Sequence, residues 1–116
     1  MLAFKVEGIE PVQVIKAPAD NSIACIGMFF VNYGSTDLVF DVYMVPNGKS
    51  VPIYDSDGNL VSGNEECIFI KEKVLNAKDT FMLNLEKILL HPLDAIFVRK
   101  YDENSKLAVH LSYEPY

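Results

Sequence analysis

The stretch Val31-Asn32-Tyr33-Gly34-Ser35-Thr36-Asp37-Leu38-Val39-Phe40-Asp41-Val42-Tyr43-Met44-Val45-Pro46 decides the fold. An apolar run ends at Gly-Ser-Thr-Asp, and a second run then begins in strict alternation. Leu38, Phe40, Val42 and Met44 fall on one face of an extended strand, and Val39, Asp41, Tyr43 and Val45 on the other. The residues between the runs tolerate tight backbone geometry, so the segment reads as two adjacent antiparallel strands.

Working outward, the theme repeats. Leu2–Val6 and Val12–Ile15 are short extended pieces, separated by Gly8 and Pro11. Ile23–Tyr33 is apolar on both faces for most of its length, which predicts a central strand covered on both sides or by a neighbouring subunit. Val51–Tyr54 and Leu60–Gly63 flank Asp55-Ser56-Asp57-Gly58-Asn59, whose Asp-Gly pair predicts a hairpin. Glu65–Leu75 reads equally as strand or short helix. Thr80–Leu85, Ala95–Tyr101 and Leu107–Tyr113 complete the set. Turn signals every ten residues or so point to an all-β antiparallel β-sandwich, jelly-roll or immunoglobulin-like, of about eight short strands with one extra hairpin. All 116 residues fit one domain.

Composition agrees. Half of the residues are hydrophobic and 22% are charged, the balance of a globular chain. A net charge of −6 and scattered basic residues argue against nucleic acid as a partner. The longest apolar run, Ile23–Val31, falls far short of the roughly 20 residues that span a bilayer, so no membrane partner is expected. The charged N-terminal stretch has no secretory character, and two cysteines make no disulfide framework. Cys25 and Cys67 are therefore expected as reduced, structural thiols in a reducing cytoplasm.

No motif signals catalysis, and neither a catalytic residue nor a cofactor is expected. Asp55, Asp57 and Asn59, with Glu66 eleven residues after Asp55, resemble the ligand spacing of a calcium loop. The glycine is misplaced for one, however, and a hairpin turn explains the residues. Cys67 with His91 or His110 lacks the local pattern of a nucleophile and its base. The tyrosines fall at strand ends or opposite the core residues, where an aromatic ring with a polar tip suits a subunit contact. Candidate interface residues are Phe29, Tyr43, Tyr54, Asp57, Gly58, Tyr113 and Tyr116. Ile23, Ile26, Phe29, Phe30 and Val31 crowd one strand beyond what one core needs, which predicts a homo-oligomer or a stable complex.

Pro18 through Pro46, then Val74-Leu75-Asn76-Ala77-Lys78-Asp79-Thr80-Phe81-Met82-Leu83 and Leu90-His91-Pro92-Leu93-Asp94-Ala95-Ile96-Phe97-Val98, resemble small β-sandwich structural proteins of tailed bacteriophages. That family shows a proline-containing turn, an apolar strand, an Asn-x-[Gly/Ser]-[Ser/Thr] turn and a strand closing on Val-Pro. Lys78-Asp79-Thr80 and Leu93-Asp94-Ala95-Ile96-Phe97-Val98 match its later turns, with Leu93 where a glycine is usual. Asp55–Asn64 is extra to the pattern. The resemblance implies a non-catalytic virion component, made in the host bacterial cytoplasm, whose partners are other virion proteins or further copies of itself. The competing reading is a carbohydrate- or receptor-binding module that uses loop tyrosines as stacking platforms.

Overall fold

The structure is a computed structural model that describes residues 2–83 and 87–116. Eleven strands follow one another along the chain: β1 (Leu2–Val6), β2 (Val12–Lys16), β3 (Ile23–Asn32), β4 (Leu38–Val45), β5 (Ile53–Tyr54), β6 (Leu60–Ser62), β7 (Ile68–Leu75), β8 (Thr80–Leu83), β9 (Ile88–Leu90), β10 (Ala95–Lys100) and β11 (Leu107–Pro115). One sheet has the order β1-β11-β3-β8, with β9 also on β3, and the other has the order β2-β10-β4-β7. Every pairing is antiparallel. β8 pairs with Met28–Val31 and β9 with Ile23–Cys25, so the two form one interrupted edge strand along β3. Counting them as one leaves eight strands, four per sheet, plus the small β5–β6 hairpin. Chain order alternating between sheets in this way is the arrangement of a jelly roll.

The two strands of the opening stretch are not partners. β3 lies in one sheet and β4 in the other, so the Gly34–Asp37 turn carries the chain across the sandwich. The alternation was legible but the neighbour was not. Both strands present a continuous apolar row inward, and burial is greater when those rows face each other than when the strands lie edge to edge. Phe30 of β3 stacks on Phe40 of β4 with ring centroids 4.8 Å apart, and Phe81 closes the cluster. Asn32 fixes the crossing. Its Nδ2 donates to the carbonyls of Thr36 and Leu75, and its Oδ1 accepts the Gly34 N–H.

The core lies between the sheets. It contains Leu38, Phe40 and Val42 from β4, Ile96 and Val98 from β10, Leu107, Val109 and Leu111 from β11, and Met28 and Phe30 from β3. Lys100 closes one end: it is 3% exposed, and its Nζ donates to the backbone carbonyls of Glu103 and Ser105. Satisfying the buried ammonium holds the β10–β11 loop against the sandwich.

The ambiguous segment contains both elements, a 3₁₀ turn at Glu65–Cys67 followed by β7. Ile88–Leu90, left unassigned by the sequence pattern, is a short strand because β3 offers its backbone there. The expected strand end at Leu85 lies outside the described residues.

Candidate interaction surface

The two outer faces of the sandwich differ at their centres. On the β2-β10-β4-β7 sheet, Asp41, Tyr43 and Val45 of β4 are buried on the side opposite the core, while Gln13 and Val74 toward its edges stay exposed. Tyr43, Val45 and Cys67 form a second apolar cluster, with Val51, Ile68 and Phe97 packed against it. Val51 and Cys67, from the connection between β4 and β7, cover this part of the face.

Beside that cluster lies Asp41, wholly buried. Tyr43 Oη donates to its Oδ2 at 2.6 Å, and Tyr101 Oη lies 2.9 Å from both carboxylate oxygens. The Glu72 backbone N–H donates to Oδ1 at 2.7 Å. Lys71 Nζ and Arg99 Nη1 stand 3.7 and 3.8 Å from Oδ2. Lys71 also lies over the Tyr54 ring at 4.3 Å, and Arg99 over the Tyr101 ring at 4.4 Å. Burial, and then the neighbouring Asp41 carboxylate, push the Tyr43 and Tyr101 hydroxyls well above the usual tyrosine range. The cluster therefore holds its protons tightly. Its geometry is that of a structural clasp on β7.

On the β1-β11-β3-β8 sheet, no second apolar cluster forms on the outer face among the described residues. Register aligns its side chains in rows across the four strands. Ala3, His110, Phe29 and Met82 make one row, and Lys5, Ala108, Val31 and Thr80 the next. Met82 and Leu89 are exposed, as is Ile26, which has no register partner on β11 at a bulge. The bulky apolar groups crowd the β3, β8 and β9 half. On the β1 and β11 half the small Ala3 and Ala108 alternate with Lys5 and His110, and there an open depression of ≈ 390 Å³ is lined by Ala3, Lys5, Ala108, His110, Val31 and Tyr33 among others.

The sequence-derived candidates scatter across the molecule. Phe29 lies at the centre of the open face. Tyr43 is fully buried, so its side chain offers no surface to a partner, because Cys67, Val51 and Phe97 pack over the face the alternation left outside. Tyr54 is half-buried beside Lys71. Asp57 and Gly58 are exposed at the hairpin tip, and Tyr113 and Tyr116 are exposed in and after β11. Met82, Leu89 and Ala3 were missed; only the register of β1, β11, β3 and β8 puts them on one surface with Phe29.

The Asp55–Asn59 loop is a turn closed on itself. Asp55 Oδ1 accepts the N–H groups of Asp57 and Asn59, and Gly58 takes a φ of +84°. Glu66 turns instead to Lys49 at 3.2 Å. Among the described residues no cluster of three or more His, Cys, Asp or Glu side chains is placed to hold a metal. Cys67 is buried in the second apolar cluster, and burial pushes its thiol up, away from the thiolate a nucleophile needs. His110 lies on the open face and His91 in the β9–β10 turn, where its N–H donates to Asp94. Among the described residues no helix is long and apolar enough to cross a membrane. No family model matches the chain, and comparison with curated proteins and with solved structures finds no match.

Proposed function

We propose that this chain is a non-catalytic structural protein that works by assembly, a virion component of the tailed-phage kind, made in the host cytoplasm and built into particles beside other virion proteins. The observation that carries this reading is the contrast between the two outer faces. One carries a buried apolar cluster at its centre, and the other presents Ile26, Met82 and Leu89 exposed beside the half-exposed Phe29 and Val31. A contiguous apolar patch on a soluble domain marks an interaction site. The jelly roll suits the role because two packed sheets form a rigid slab, and repetition of one contact around a particle multiplies a weak affinity. The resemblance of the Pro18–Pro46 stretch to phage structural proteins supports the same reading. Mass spectrometry of particles purified from the source organism tests the reading. This chain should be present in a fixed ratio to the other particle proteins; its absence from washed particles would refute the proposal.

A further inference from the structure

We infer that the occupant of the open face is a second copy of this chain, packed sheet on sheet about a two-fold axis that runs parallel to the strands between β11 and β3. The inference rests on the assembly reading and adds its partner and geometry. The first support is size complementarity within a single face. A two-fold axis in that position brings the β8 half of one copy over the β1 half of the other. Met82 of each copy then meets Ala3 of the other, Val31 meets Ala108, and Phe29 meets His110, since these residues occupy mirrored places in the two rows. Met82 and Val31 thus seat on the small Ala3 and Ala108, with Met82 entering the depression beside Ala3, while Lys5 meets the polar Thr80. Each contact occurs twice.

The second support is area. The residues of β1, β11, β3, β8 and β9, at about 3.3 Å rise and 4.8 Å spacing, make a face of roughly 500 Å². Two such faces bury about 1,000 Å², the size at which a biological interface begins. Aligned packing of two twisted sheets about 10 Å apart is also a favoured geometry for sheet faces.

Cross-linking through introduced cysteines tests the arrangement. In the dimer Ala3 of one copy faces Met82 of the other across sheets about 10 Å apart, beyond the roughly 7 Å between Cα atoms that a direct disulfide allows, so the linker is a short bis-maleimide. The native Cys25 and Cys67 are buried. Treating a mixture of Ala3→Cys and Met82→Cys chains with it should give a mixed cross-linked dimer far faster than either homodimer, because like positions are displaced sideways by three strand spacings, about 14 Å. In gel filtration with light scattering, Met82→Glu and Ala3→Arg should each weaken the dimer by about thirtyfold or more, the scale of losing an interface anchor. Both positions are exposed, so the melting of the monomer should not change. Absence of the mixed cross-link, or a dimer indifferent to both substitutions, would overturn the inference. So would a chain that stays monomeric yet binds another particle protein through Met82, although the assembly reading would then stand. A dimer formed by a chain that is absent from particles would keep the inference and remove that reading.

Discussion

The Asp41 carboxylate accepts the backbone N–H of Glu72 at 2.7 Å, at the point where the β4–β7 ladder is interrupted. Phe40 pairs with Lys73 and Val42 with Ile70, so two residues of β7 stand opposite Asp41 alone. Glu72 takes a φ of +53° in this bulge. The side chain replaces a ladder hydrogen bond that the bulge removes, and its second oxygen collects the Tyr43 hydroxyl. Asp41→Asn keeps the volume but replaces an acceptor oxygen with a donor, leaving buried partners unsatisfied. The expected cost is about 2–3 kcal/mol, read as a melting temperature lowered by about 10 °C in calorimetry.

Alkaline stability follows from the same cluster. Tyr43 and Tyr101 are held protonated in the folded chain above the ordinary tyrosine range, whereas in the unfolded chain they ionise near pH 10. The stability this confers is therefore complete below about pH 10 and is lost as pH rises through the folded values. A spectrophotometric titration of tyrosinate should show two of the six tyrosines ionising only with cooperative unfolding. All six ionising together while circular dichroism stays native would refute it.

Leu93, in the β9–β10 turn, has a φ of +69°. The turn thus keeps the left-handed geometry glycine prefers, while a branched side chain bears the strain. Leu93 is also exposed, so little packing is lost on removing it. Leu93→Gly should stabilise the fold by up to about 1 kcal/mol, the difference between relieved strain and added chain entropy. Chemical denaturation of the two forms measures it.

Two glycines near the insertion should differ in cost. Gly58, at φ +84°, has open space around it, so Gly58→Val meets backbone strain alone, about 1–2 kcal/mol. A Cβ on Gly63 would collide with the backbone carbonyl of Val51. Gly63→Ala should cost about 3 kcal/mol and loosen the roof over Tyr43. Urea midpoints of the two variants should fall in that order.

How much of this was visible in the sequence depends on what alternation encodes. It assigned Leu38, Phe40 and Val42 to the core face correctly, because side-chain direction has a period of two whatever the neighbours are. It could not tell that β3 and β4 belong to different sheets, since both outcomes use the same pattern. Asp41 and Tyr43 read as outward residues, and they are; what surrounds them are Tyr101 and Lys71 for the one and Cys67 and Val51 for the other, contributed from elsewhere in the chain. The excess of apolar residues on β3 pointed to Phe29 and Ile26. The opposing small residues, Ala3 and Ala108, carry no signal in their own segments and emerge only from register.

Sedimentation equilibrium of the unmodified chain across micromolar to millimolar concentration tests the central claim, that the open face drives assembly. The account predicts a reversible shift from the 13.0 kDa chain to a species of twice that mass, and the shift disappears in Met82→Glu. A single 13.0 kDa species throughout, with no partner retained from particles, would contradict it.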